Sequence, residues 1–416
     1  MMLSILIIDD TPEKITKLKS IIEEFKDFDI CCDIVNDTKN ALAKLEQSFY
    51  DLILLDMFIP FEWGNDINPK NALQFIEQLN QDEDLHYPLS ILAITKKEDL
   101  SDDIVEKLQK KTVSLLQYKE DSEIWKSQLR NNIKSIIGAK KSLFSRNEYY
   151  YDVVILTALQ NPEFEKIKEE LGGLWTLEPI IGDESNNYYR GEFCNKKGQK
   201  IKCIITYAKQ MASIASAALT TKLIYNFRPK YLFMTGIAAG INNANMNYGD
   251  ILVASEVWDG ASGKIKSDKN DGNAIFEPDY RHEKISPTFE AIISRLKDSK
   301  ELLHQIEDGY KVKTGKPQSQ LQIHLGPMAS VPAVLSCSDE ISKIKSHQRK
   351  LQGIEMETYG MFYAAANAIK PLPKIVASLK SVSDFANVKK NDNYQEYAAY
   401  TSAALLKHIL INELEY

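Results

Sequence analysis

The chain has 416 residues, 44% hydrophobic and 26% charged, with a formal net charge of −7. That length suits two or three domains with real cores, and the acidic balance argues against a general nucleic-acid binder, which needs a basic face. Five cysteines without a CxxC pair, no apolar run of 18 residues and an N-terminus, "MMLSILIIDD", that lacks a basic start and a cleavage site point to a reduced, cytoplasmic protein with no membrane span or signal peptide.

In chain order, the first ~140 residues alternate short apolar runs with amphipathic segments, as a parallel α/β sheet requires. Strands are expected at Leu3–Ile8, Ile30–Val35, Leu52–Leu55, Ser90–Ile94 and Val113–Leu116. Helices are expected to begin near Pro12, Lys39, Asn71, Asp102 and Glu123, the last with Asp121-Ser122 as capping residues. The polar stretch "GAKKSLFSRNEYYYD" then breaks the pattern. It divides the chain into a first domain, 1–140, a linker, 141–150, and a second domain, 151–416.

The second domain opens on the strand "YDVVILTAL". A hairpin follows, Tyr188–Cys194 and Ile201–Ala208, turning at "NKKGQK". Further strands are "YLFMTG", "GDILVASEV", "LQIHLGPMAS" and "KIVASLKSV", with a closing helix from about Tyr394 to Leu414. Residues from about Gly260 to Lys284 are polar and read as a long loop, a common place for a functional lid.

In an open parallel sheet, ligands bind at the carboxyl ends of the strands. Asp9 and Asp10 follow the first strand, Asp56 ends the third, Thr95 follows the fourth and Lys119 lies just beyond the fifth. Carboxylates gathered at one point repel unless a cation joins them, and hard oxygen ligands suit Mg²⁺. This constellation resembles the receiver domain of two-component response regulators. The resemblance implies a flavodoxin-like, doubly wound fold with Asp56 as phosphoacceptor. Asp9, Asp10 and Asp56 would hold Mg²⁺, Thr95 and Lys119 would contact the phosphoryl group, and a histidine kinase would supply it. Two departures stand out. "MFIPFEWGNDINPK" lengthens the loop after Asp56, and Leu116 occupies the aromatic switch position.

The second constellation centres on "QGIEMETYG". One carboxylate can accept hydrogen bonds from two neighbouring ribose hydroxyls, and Glu357 near a helix start is placed to do so. Glutamates near a helix N-terminus also stabilise the helix itself. The motif has company: "MTGIAAGI" with Gly236 and Ala238, "GDILVA", "VSDFAN" with Ser383 and Asp384, and Glu163 in "VILTALQNPEFE". In this order the segments resemble the purine nucleoside phosphorylase and methylthioadenosine/S-adenosylhomocysteine nucleosidase superfamily, from about Tyr151 to the C-terminus. The resemblance implies a nucleoside phosphorylase-like α/β fold that needs no cofactor and assembles as a homo-oligomer. Asp384 would protonate N7 of a purine, supported by Ser383, and Glu163 would activate water. Glu357 would hold the ribose hydroxyls, with Met356 and Glu355 beside the sugar. "YAKQMASIASAA" has Ala212 where a phosphate-cradling glycine belongs, which favours hydrolysis over phosphorolysis.

A receiver ahead of a nucleosidase resembles the effector of Detocs-type two-component anti-phage systems, which implies adenine nucleotides, chiefly ATP, as substrate. Lys209, Arg190, Lys264, Lys266, Arg281 and His282 are candidate phosphate contacts. A methylthioadenosine-type nucleosidase, a purine nucleoside phosphorylase and a non-catalytic nucleoside sensor remain alternatives.

Overall fold

The computed structural model describes residues 2–95, 100–120, 122–145, 148–241, 246–267, 274–312, 315–333, 338–386 and 392–416. Asp121 of the expected helix cap and Asn387 of "VSDFAN" lie outside them. Among the described residues no helix is long and apolar enough to cross a membrane. The chain divides into two compact units, Met1–Arg146 and Asn147–Tyr416.

The first unit runs β1 (Met2–Ile8), α1 (Pro12–Ile22), β2 (Asp29–Val35), α2 (Thr38–Gln47), β3 (Leu52–Asp56), α3 (Pro69–Gln81), β4 (Ser90–Thr95), α4 (Asp102–Lys110), β5 (Ser114–Gln117) and α5 (Glu123–Ser145). All five strands are parallel, in the flavodoxin-like order β2-β1-β3-β4-β5. Every residue of β3 is buried, because a central parallel strand is covered on both faces. Successive side chains feed opposite faces: Leu52 and Leu54 pack with Trp125 and Leu129, while Ile53 and Leu55 pack with Phe75 and Ile76.

Helix α5 continues through Ser145, past the point where the sequence reading starts a linker. Ile133, Ile136 and Ile137 anchor it in the core. Beyond Gly138, Lys140 Nζ donates to both carboxylate oxygens of Asp51 at 2.7 and 2.8 Å. This partly buried pair holds the polar end of the helix to its own unit.

The second unit runs β6 (Tyr151–Thr157), α6 (Glu165–Leu171), β7 (Thr176–Leu177), β8 (Tyr189–Cys194), β9 (Lys200–Tyr207), α7 (Ser213–Phe227), β10 (Pro229–Gly240) and β11 (Ile251–Asp259). Then come β12 (Gly263–Ser267), β13 (Ala274–Pro278), β14 (His282–Lys284), α8 (Pro287–Leu296), α9 (Lys300–Gly309) and β15 (Ile323–Ser330). The chain ends with α10 (Ser338–His347), β16 (Gly353–Glu355), α11 (Thr358–Ala366), β17 (Ile375–Asp384) and α12 (Gln395–Asn412).

β10 organises this unit. It pairs with β6, β17 and β16, while β11 pairs with β17 and β15, and β15 with β16. The path β10-β17-β11-β15-β16 thus closes on itself, and β6, β9, β8 and β7 extend it as an open sheet. The expected hairpin is the antiparallel pair β8–β9. The stretch expected to be a long loop instead carries an antiparallel ribbon, β12–β13, with Ile265 opposite Phe276, and a short strand β14 against β11. Its apolar residues are too few to stand out as strands, yet two suffice to register a ribbon.

Candidate functional site

Glu163 lies in a wide helical turn, Gln160–Phe164, directly after β6. It is 1% exposed, and its oxygens accept three backbone hydrogen bonds. Oε2 takes the N–H groups of Ala158 (2.8 Å) and Leu159 (2.7 Å), and Oε1 takes that of Ile237 (2.8 Å). Burial pushes its pKa up, opposed by the Lys380 charge and these N–H groups. Gly236 makes the approach possible: a Cβ there would overlap the Glu163 carboxylate.

The two glutamates of "EMETYG" divide the work. Glu355 Oε2 accepts the N–H groups of Glu357 and Thr358, both at 2.8 Å, and Oε1 accepts the Ser330 hydroxyl. Glu355 therefore satisfies the first turn of α11. Glu357, the residue before that helix, makes no side-chain cap. Its Oε1 accepts the Ala212 N–H at 3.1 Å and its Oε2 accepts Lys380 Nζ at 2.8 Å. Ala212 has φ +89°, a conformation glycine adopts more easily. Ser213 Oγ donates to Met356 O at 3.1 Å.

Lys380 escaped the sequence reading. It sits inside β17, 1% exposed, with Nζ 3.1 Å from Glu355 Oε2 as well. Burial disfavours its charge, but Glu357, Glu355 and Glu163 together raise its pKa. Glu355 is likewise disfavoured by burial, yet Lys380, Ser330 and two N–H groups hold it below the usual range. The signal was available, since a lone lysine in the apolar run "IVASLKSV" needs a buried partner.

Asp384 ends β17. Its Oδ1 accepts the Ala386 N–H at 2.8 Å and its Oδ2 accepts the Ser383 hydroxyl at 3.2 Å. One cleft collects Glu163, Glu355, Met356, Glu357, Lys380 and Asp384, with Ser383 and Ala238 also in its wall. The ends of β6, β10 and β17 and the start of α11 therefore converge. The candidate phosphate contacts do not join them. Arg190 faces Glu178 at 3.5 Å, Lys266 pairs with Glu277, and His282 stacks on Trp258. Lys264 and Arg281 line a separate depression with Glu277 and Tyr359, and Lys209 is exposed.

In the first unit, Asp9, Asp10 and Asp56 bring ligand oxygens within 4.8 Å of one another. Thr95 is buried at the end of β4, and Lys119 is exposed. The cation ion-paired with Asp56 is Lys14, from α1, with Nζ 2.9 Å from Asp56 Oδ2 and 2.8 Å from Asp9 Oδ2. Burial pushes the Asp56 carboxyl up to about 6, with Lys14 opposing and Asp9 reinforcing. Asp9 Oδ2 is buried and makes no aligned hydrogen bond, even to the nearby ammonium. Three carboxylates whose oxygens converge form a hard donor set that fits Mg²⁺.

Comparison with known proteins finds a family model for each unit. Residues 5–123 match the response regulator receiver domain model and residues 152–411 match the phosphorylase superfamily model. An uncharacterized protein, y4jS, of Sinorhizobium fredii is 25% identical over 96% of this chain and 97% of its own. A death domain-containing ATP nucleosidase of Amphimedon queenslandica is 22% identical over 62% of this chain, and the ATP nucleosidase Cap17 of Escherichia coli is 21% identical over 61%. The chain spans about half of those two relatives, 47% and 50%. A solved Helicobacter pylori 5′-methylthioadenosine/S-adenosyl homocysteine nucleosidase shares 18% identity at a TM-score of 0.48, over 63% of this chain and 99% of its own. The chain belongs to the phosphorylase superfamily and carries a response regulator receiver domain ahead of that domain.

Proposed function

We propose that the protein is an N-glycosyl hydrolase that releases adenine from adenine nucleotides, ATP above all, under the control of a phosphorelay, in defence against phage. The observation that carries the chemistry is the convergence of Glu163, Glu357 and Asp384 on one cleft. Glycosidic cleavage passes through an oxocarbenium-like sugar, so the leaving base needs a proton and the water needs a base. Asp384 donates a proton to N7 of adenine as the C1′–N9 bond breaks. Glu163 takes a proton from water as its oxygen bonds to C1′. Glu357, anchored by Lys380 and the Ala212 N–H, turns its remaining lone pairs to the ribose hydroxyls. Glu355 is the positioning residue behind it, and Met356 packs beside the sugar. Water rather than phosphate is the nucleophile in this reading, because the Ala212 N–H and the Ser213 hydroxyl at the start of α7 are already engaged.

The ATP nucleosidase names of two relatives support the choice of substrate. Methylthioadenosine-type nucleosides are a second reading, favoured by the absence of the six candidate cations from the described cleft wall. In the receiver, Asp9, Asp10 and Asp56 would hold Mg²⁺, which neutralises the charge that gathers during phosphoryl transfer. A histidine kinase would pass its phosphoryl group from a histidine nitrogen to an Asp56 oxygen, beside Thr95 and Lys119.

The test is a panel of ATP, ADP, AMP, adenosine and methylthioadenosine, in buffers with and without inorganic phosphate. Free adenine from ATP, independent of phosphate, with ribose 5′-triphosphate as co-product is the expected result. Preference for methylthioadenosine selects the second reading, and a requirement for phosphate makes the enzyme a phosphorylase.

A further inference from the structure

Asp9 and Asp56 use their oxygens alike. Asp9 Oδ1 accepts the Thr11 N–H at 3.0 Å, and Asp56 Oδ1 accepts the Phe58 N–H at 3.2 Å. Each then turns Oδ2 to the same ammonium, Lys14 Nζ, at 2.8 and 2.9 Å. The two oxygens without a backbone donor are thus the two that Lys14 holds. Its side chain is 9% exposed, so water does little to screen these contacts.

We propose that Lys14 is a built-in counter-cation of the receiver's acid cluster, and that Mg²⁺ enters by displacing its ammonium from Asp9 and Asp56. The reading rests on the assignment of Asp9, Asp10 and Asp56 as the Mg²⁺ cluster. Two cations cannot share the same pair of carboxylate oxygens without strong repulsion. Mg²⁺ binds such oxygens at about 2.0–2.1 Å, closer than the ammonium does, and it brings twice the charge. The ring of Tyr118, with its centroid 5.7 Å from Nζ, already faces the ammonium, and this cation–π contact does not depend on the two carboxylate oxygens. The consequence is a raised threshold: the cluster stays compensated at low Mg²⁺, and phosphorylation waits until the metal has replaced the lysine.

The experiment measures Mg²⁺ binding by calorimetry on the full chain, comparing wild type, Lys14→Met and Lys14→Arg. Removing a competitor from the site tightens apparent binding by mass action. Lys14→Met is expected to bind Mg²⁺ ~10-fold or more tightly than wild type, and its melting temperature should rise more steeply with Mg²⁺. Lys14→Arg should stay close to wild type. Equal affinity in wild type and Lys14→Met, or weaker binding in the variant, overturns the proposal while leaving the cluster assignment standing. Absence of Mg²⁺ binding in all three proteins overturns the assignment and the proposal together. Should Lys14→Met fail to fold, nitrogen-15 spectra of the lysine ammonium groups of wild type decide instead. The Lys14 signal should shift or broaden as Mg²⁺ is added, and a signal unchanged at saturating Mg²⁺ counts against displacement.

Discussion

Lys380 Nζ lies 2.8 Å from Glu357 Oε2 and 3.1 Å from Glu355 Oε2, and all three side chains are buried. A cation shared by two carboxylates is what lets two glutamates stand two residues apart in an apolar setting. Removing one partner of a buried pair leaves an uncompensated charge and costs about 3–5 kcal/mol. Lys380→Met should therefore lower the urea midpoint of the second unit by a corresponding amount. A midpoint within error of wild type would show that the pair carries no such weight.

Among the described residues, Asp384 is held by its immediate neighbours, Ser383 and Ala386, and it joins no ion pair of the second unit's core there. Asp384→Asn should cut turnover by ~10²–10⁴-fold, the range for losing a general acid, with an unchanged melting temperature. Adenine release at the wild-type rate would remove Asp384 from the proposed mechanism.

The proposed role of Glu163 as base carries a pH signature. Burial raises its pKa from the ordinary 4.5, so the folded protein keeps a proton that the unfolded chain has already lost. That contribution to stability is fully present below about 4.5 and is lost as pH rises through the folded value. Activity runs the other way, because a base must be ionised. The acidic limb of kcat/KM should fall above 4.5, while the stability increment fades over the same window. A pH–rate profile flat from pH 4.5 upward would contradict the assigned role.

Gly236 sets the position of the proposed base. The carboxylate of Glu163 occupies the space a Cβ would fill, and a displaced base loses its line to the water. Gly236→Ala should cost ~10²-fold in kcat, with a smaller change in KM. Unimpaired kcat would mean that Glu163 moves without consequence.

The parts legible in the sequence were those written in short, local patterns. Apolar runs that end in acids, such as "LILLD", marked the parallel strands of the first unit and the ends where Asp9, Asp10 and Asp56 meet. "EMETYG" and "VSDFAN" likewise marked Glu357 and Asp384, which line one cleft. What escaped was carried by tertiary contact. Lys14 reads as one of several lysines on an amphipathic helix, "PEKITKLKS", and only the packing of α1 turns it toward Asp56. Lys380 was visible as a charge in a strand, but its partners come from another segment. The six basic candidates for phosphate contact have only charge and sequence neighbourhood in common, and the fold places them on other surfaces. The division of labour between Glu355 and Glu357 depends on Ser330 and Ala212, each far along the chain.

The claim that the receiver gates the nucleosidase is tested most directly by one measurement: adenine release from ATP by the purified full chain, with and without a phosphodonor such as a cognate histidine kinase. Wild type and Asp56→Ala are compared under the same Mg²⁺. A phosphoryl group carries about 1.5 to 2 negative charges and replaces the one on the Asp56 carboxylate, so phosphorylation adds up to about one charge at the end of the central strand, the kind of local change by which such switches act. The phosphodonor is expected to raise adenine release from wild type and to leave Asp56→Ala at its basal rate. The same rate in all four samples would contradict the claim.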